Sequence, residues 1–176
     1  MSSGCLPDAA PCDPPASDWP ARDGCLALLS TLIEHMPGGA RGTAVFLLDC
    51  CGPRPGDAVI AEVERRLRAA SPGWHRLLQG DAGEFVVIAQ GLVDGGAVLA
   101  AAARLVHAFD DALQTSNLAL CPDVAIGIAF APQHGARAEP LLAAAEASLR
   151  ESRAVARQGR RRRLATIPPL RSVDGD

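Results

Sequence analysis

Apolar residues along this chain recur in two rhythms, and the switches between them mark out helices and strands. Residues 23–36, DGCLALLSTLIEHM, place Cys25, Leu28, Leu29, Leu32, Ile33 and Met36 on one helical stripe, ended by Pro37-Gly38-Gly39. Thr43 to Leu48 is an unbroken apolar run, which predicts a buried strand stopping at Asp49. Gly52-Pro53-Arg54-Pro55-Gly56 interrupts regular structure, and Asp57 then stands where it can cap a helix over Ala58 to Ala70. Val59, Ile60, Val63 and Leu67 give that helix its apolar face. Trp74 to Gln79 and Phe85 to Gln90 read as two strands of a hairpin, with Gly80, Asp81 and Gly83 as the turn residues. Asp94 caps a further helix whose inner stripe is Val98, Ala102, Leu105, Phe109 and Leu113. Val124 to Ala131 is another strand. Pro140 suits the first turn of a last helix that buries Leu141, Leu142, Ala145 and Leu149. Leu164 to Ile167 adds a short final strand before Pro168-Pro169.

Read in order, these elements are a leading helix, then β-α-β-β-α-β, then a helix and a strand. That is an α+β fold of the ferredoxin-like, split βαβ kind: an antiparallel sheet with its helices packed on one face. Residues 1–21 are rich in Pro, Ser, Asp and Ala without periodicity and read as a disordered arm, in which Trp19 is the one residue able to anchor. The folded domain is expected over residues 22–167, with 168–176 as a disordered tail.

Composition narrows the class more than the function. With 176 residues and 48% hydrophobic residues, the chain has one domain's length and enough apolar matter for a core. A net charge of −3 is too small to imply a class of partner. Every basic residue is arginine, and the chain has no lysine or tyrosine. The six cysteines, Cys5, Cys12, Cys25, Cys50, Cys51 and Cys121, show neither CxxC nor Cys/His spacing, so they are expected to be free thiols in a reducing cytoplasm. Neither a signal-peptide pattern nor an apolar run long enough for a membrane span is present. His35, His75, His107 and His134 have no paired spacing, and Ser148 and Ser152 have no base partner in sequence. Arg160 to Arg163, with Arg150, Arg153 and Arg157 before them, form a basic segment. It lacks interleaved aromatics, so nucleic acid is not the expected partner.

The hairpin carries a resemblance. Asp81-Ala82-Gly83-Glu84-Phe85, followed by Val86-Val87-Ile88, is similar to the Gly-Gly-Asp/Glu-Glu-Phe signature of the GGDEF family of diguanylate cyclases, with three of the five positions changed. Other pieces fall in the family's order. An apolar strand ends in an acid, Asp49, at the family's metal-binding position, and Gly56-Asp57 opens a helix. Ala125-Ile126-Gly127-Ile128-Ala129 resembles Ser-Ile-Gly-Ile-Ala, and Leu141 to Gln158 resembles the closing helix. The likeness covers about residues 43 to 167. It implies the palm-type nucleotide cyclase version of the same α+β core.

The departures shape the functional expectation. Phosphoryl transfer of this type relies on divalent metal held by clustered acids. Asp49 matches one ligand, but the family's acid before Glu-Phe is Gly83 here, and Asp81 sits two positions away on a tight turn. Only CCGPRP separates Asp49 from Gly56, so the family's phosphate-gripping and guanine-reading loop is missing. Arg54 is expected to be a solvated loop residue. Pro72 and His75 stand where many cyclases carry the Arg-x-x-Asp product site. As remnants of nucleotide binding, the resemblance leaves Asp57, at a guanine-contacting position, and Arg153 and Arg157, at phosphate-contacting ones. Each has a structural alternative: helix cap for Asp57, helix-dipole complement for the arginines. The expectation is a catalytically inactive GGDEF-like domain with no cofactor and no metal. It would act on a protein partner (a cyclase, a phosphodiesterase, or synthesis or secretion machinery under cyclic di-GMP control), with a homodimer left open. The alternatives are a sensor of GTP or cyclic di-GMP and, third, a residual cyclase.

Overall fold

The computed structural model describes residues 22–35, 42–50, 56–71, 76–80, 83–115, 118–120, 122, 124–159 and 163–164. The elements run α1 (Arg22–Glu34), β1 (Gly42–Asp49), α2 (Asp57–Ala70), β2 (Arg76–Gln79), β3 (Glu84–Leu92), α3 (Gly95–His107), β4 (Leu113–Thr115), β5 (Leu118–Leu120), β6 (Ala125–Phe130), α4 (Ala138–Gly159) and β7 (Arg163–Leu164). The main sheet has the order β2-β3-β1-β6-β7. In its first four strands each neighbouring pair is antiparallel, and β7 adds a two-residue parallel edge beside β6. This is the split βαβ layout the element order predicts.

Strand β1 runs through the middle of the sheet, and it reads as a continuous apolar run because both its faces are covered. Alternate side chains go to opposite sides. Ala44, Phe46 and Leu48 join a core made with Val59, Val63 and Leu67 of α2 and Val98, Ala102 and Leu105 of α3. Val45 and Leu47 join a second core made with Cys25 and Leu29 of α1 and Leu141, Leu142, Ala145 and Leu149 of α4. The helices of the βαββαβ repeat share one face, but the leading and closing helices cover the other, so the sheet is packed on both faces and not on one as expected. Burial, with Glu146 nearby, pushes the Cys25 thiol up to about 11, which suits a cysteine used as apolar filler. Cys50 is buried as well. Among the described residues no helix is long and apolar enough to cross a membrane.

Two local expectations need correction. Asp57 does not cap α2: it is the first helical residue, the N-cap is Gly56, and no side chain completes the cap. Its carboxylate still lies in the turn where the helix dipole favours negative charge. Helix α3 does not run on to Leu113. It ends at His107, and Leu113 opens a small antiparallel hairpin, β4 with β5, that periodicity alone did not suggest. Phe109 and Leu113 are buried all the same, so their spacing mimicked a helical stripe. A helix carried through Asp110 and Asp111 would set two acids against its negative end. Instead, the Arg66 guanidinium from α2 donates to the carbonyl oxygens of Ala108, Asp111 and Ala112, at 3.2, 2.6 and 2.7 Å. Asp94 does cap α3, accepting from the Ala97 amide at 2.8 Å. The arm 1–21, Met36, Trp74, residues 165–167 and the tail lie outside the described residues.

Helix α4 lies unusually close to β6, and Gly127 is the reason. A Cβ at that position would overlap the Ala145 carbonyl oxygen and sit 2.6 Å from the Leu149 Cβ. With the helix that close, Ser148 Oγ accepts from the Ile128 amide at 3.1 Å and Ser152 Oγ from the Ile126 amide at 3.2 Å. Four helical residues rise about 6 Å, and two strand residues advance about 6.7 Å, so the two spacings match. The third outward amide of β6, Phe130, donates to His134 Nδ1 at 2.9 Å. These side chains satisfy amides on the side of β6 away from β1, where β7 pairs only beside Ala125 and Ile126.

Gly127→Ala is expected to force α4 away from β6 and cost about 2–3 kcal/mol, as overpacking does. Denaturant unfolding reads this directly, and an unchanged midpoint would mean that α4 can slide without loss. His134 supplies a second prediction. Its Nδ1 accepts a hydrogen bond, and burial lowers its pKa from 6.5, so the unfolded chain takes up the proton first as pH falls. The contribution of His134 to stability is therefore present above about pH 6.5 and declines as pH drops toward its lower folded pKa. Thermal melts across that window should show a smaller decline in His134→Gln, which keeps an acceptor but has no proton to gain.

Candidate functional site

The end of the sheet where β1 stops gathers the residues of interest. Antiparallel pairing sets Asp49, the last residue of β1, directly opposite Glu84, the first of β3. On its other side Asp49 pairs with Ala125, where β6 begins. Two acids on adjacent strands thus face the same end of the sheet, and helix α4, seated by Gly127, delivers an arginine to them. Arg153 Nε donates to Asp49 Oδ2 at 2.9 Å, and Arg153 Nη2 donates to Glu84 Oε1. The donors lie on one edge of the guanidinium, so each carboxylate receives one. The side chains are 25% (Arg153), 25% (Asp49) and 13% (Glu84) exposed, partly withdrawn from water. Burial alone would lower the Arg153 pKa. The hydrogen bonds and charges of Glu84 and Asp49 more than offset this, and the net direction is up.

The hairpin tip explains the altered signature. Gly83 is buried with a φ of 83°, and the Gly80 amide donates to the Glu84 carbonyl oxygen at 2.8 Å. That left-handed backbone favours glycine, and a carboxylate-bearing residue at the same φ is strained. Phe85 points into the core and is fully buried, so its part in the signature is packing. Asp81 and Ala82 lie outside the described residues.

The other expected site residues do not join this cluster. Asp57 is exposed at the start of α2 and makes no hydrogen bond or ion pair with Asp49, Glu84 or Arg153 among the described residues. Arg157 lies one turn beyond Arg153 on α4, and its side chain is outside the described residues, as are Arg54, Pro72 and His75. Ser148 and Ser152 are occupied as acceptors for the β6 backbone. Among the histidines, His35 Nδ1 lies 2.7 Å from the Thr31 carbonyl oxygen and His107 pairs with Asp110.

Sequence reasoning took Arg153 for a phosphate contact or a dipole complement and missed its partners. The signal was there in two parts: hairpin pairing that aligns Glu84 with Asp49, and an arginine next to Ser152 on a helix face turned to the sheet. The divalent metal that the fold family implies does not fit these residues. The two acids already share one guanidinium, and Gly83 offers no side chain. Among the described residues no group of three or more His, Cys, Asp or Glu side chains is placed to hold an ion.

A family model described as "Diguanylate cyclase, GGDEF domain" matches residues 47–161. No curated protein matches the sequence. The GGDEF domain of YfiN (TpbB) from Pseudomonas aeruginosa is similar at a TM-score of 0.69 and 22% identity, over 84% of this chain and 96% of that one. The GGDEF domain of DgcB from Caulobacter crescentus, solved in complex with c-di-GMP, is similar at 0.62 and 18%, over 79% and 85%. The diguanylate cyclase SiaD from Pseudomonas aeruginosa, solved in complex with its activator SiaC, is similar at 0.63 and 16%, over 83% and 58%. With the matched residues spanning from β1 to the end of α4, the strand order of the split βαβ core and the altered signature at its hairpin tip, the chain belongs to the GGDEF domain family of cyclic di-GMP signalling.

Proposed function

We propose that this GGDEF domain is non-catalytic and works by contact with a protein partner in cyclic di-GMP signalling. One observation carries the reading: the two acids at the nucleotide end of the sheet, Asp49 and Glu84, are both engaged by Arg153. Phosphoryl transfer between nucleotides depends on clustered acids that hold metal and steady the attacking hydroxyl. A carboxylate bound to a guanidinium must first give up that charge-assisted hydrogen bond to do so. The acid that would complete the set is replaced by Gly83, in a backbone conformation that disfavours an acid. The short CCGPRP connection after Asp49 leaves little chain to cradle a triphosphate.

The same observation weighs against the sensor alternative, since Arg153, one of its two phosphate-contacting arginines, is already satisfied. What is retained is the packing: two cores, one on each face of the sheet, built from residues with no part in the chemistry. A domain that keeps its shape and sheds its reactive groups is suited to binding through its surface. SiaD, a GGDEF-containing relative in fold, is known in complex with a protein activator, which gives the reading a precedent. The partner classes it fits are a cyclase, a phosphodiesterase, or synthesis or secretion machinery governed by cyclic di-GMP.

Purified protein incubated with GTP and either magnesium or manganese is expected to form no cyclic di-GMP. Gly83→Glu should stay inactive too, since the new side chain meets a left-handed backbone costing about 1–2 kcal/mol and the loop remains short. Product from either protein would sink the reading. Calorimetric titration with GTP and with cyclic di-GMP should give no saturable heat. Saturable binding that disappears in Arg153→Ala would transfer the conclusion to a nucleotide sensor.

A further inference from the structure

The geometry at the end of β1 points to Arg153 as a resident cation: we propose that its guanidinium stands in for the divalent ion of the fold family, holding together two carboxylates that would otherwise repel. This goes beyond the proposed function, because a module that binds partners need not carry its own counter-charge.

Asp49 and Glu84 occupy directly opposed positions of an antiparallel pair. Like charges so placed destabilise a sheet, because their side chains start only about 5 Å apart. The usual relief is water or a bound ion. Here the acids are 25% and 13% exposed, so water screens them incompletely. Arg153 meets them in bridging fashion, one donor to each, as an ion between two carboxylates would. Its charge is permanent across the working pH range. Acids and arginine together carry −1, where the acids alone carry −2.

The arginine is also delivered by construction. Gly127 lets α4 approach, Ser148 and Ser152 fix its height along β6, and Arg153 follows Ser152 directly. A tethered cation differs from a free ion in two ways: it cannot be chelated or diluted, and its site cannot be refilled by a nucleotide-bound metal. The domain is thereby made independent of divalent metal, and its ion site is latent in place of lost. Removing the guanidinium should reopen it, since two carboxylates with waters are a donor set that hard divalent cations accept.

Thermal melting of the full chain with and without millimolar manganese tests this. Wild type is expected to melt at the same temperature in both. Arg153→Ala should melt several degrees lower, and manganese should restore part of the loss. Adding Asp49→Asn and Glu84→Gln to Arg153→Ala should recover stability without metal and abolish the manganese effect. The proposal is overturned if Arg153→Ala melts like wild type, or if manganese raises wild type as much as the variant. It is also overturned if the triple variant is no more stable than Arg153→Ala. Should Arg153→Ala not fold, a folded triple variant remains the expected result. An unfolded triple variant would mean that the arginine stem, and not its charge, is what matters. None of these measurements reads turnover or partner binding, so their failure leaves the proposed function standing.

Discussion

Close contact between α4 and β6 governs what the rest of the molecule can do, and it depends on one missing side chain. Because Gly127 has no Cβ, the helix backbone can rest against the strand, with the Ala145 carbonyl and Leu149 directly above it. At that distance a serine hydroxyl reaches a strand amide, and two serines one turn apart reach two alternate amides. The outer edge of β6 is satisfied by its own chain, and the helix is fixed in rotation and in height. Arg153 then has little choice of direction. Its position opposite Asp49 and Glu84 follows from the seating of α4, so the electrostatics of the site are a result of packing.

Asp49 and Glu84 share a cation that belongs to the chain itself. In a metal-dependent nucleotide site, clustered acids are kept apart in charge by an ion that comes and goes with substrate. Here the compensating charge is covalently part of the fold. The exchange needs few residues to differ: a glycine in the left-handed turn at position 83 and an arginine on α4 that reaches the acids. Around them stand the buried Phe85 and the β1–β3 register. This is why the family was recognisable from Glu84-Phe85 and the Ile126-Gly127-Ile128 strand even though the reactive acid is gone.

Periodicity revealed the fold well wherever burial on one face enforced it. The stripes of α2 and α4 and the run of β1 lie where the pattern put them, because each buries a contiguous apolar surface. It failed at residues 108–113, where Phe109 and Leu113 are buried at helical spacing but belong to a turn and a strand. The one local signal is the pair Asp110 and Asp111, which a continued helix would set against its negative end. The helix stops because Arg66, more than forty residues earlier, binds the carbonyls of the turn, which is a long-range cause. Asp57 misled for the opposite reason: Gly56 can cap by backbone geometry alone, so the acid one place later had no cap to fill.

The candidate site was half legible on similar grounds. Asp49, Glu84 and Arg153 were each singled out or contained in a motif, since the resemblance fixes their positions along the chain. Their mutual contact was not, because it depends on three elements meeting in space: a strand end, a hairpin register and a helix rotation. The resemblance itself pointed away from the answer, assigning Arg153 to phosphate because that is what a basic residue there does when the acids hold metal. Once the acid at position 83 is absent, the remaining carboxylates lack an ion to share, and the nearest permanent cation takes that place. The role of a side chain at this site is therefore set by the charge its neighbours leave unbalanced, and only secondarily by the position it inherits.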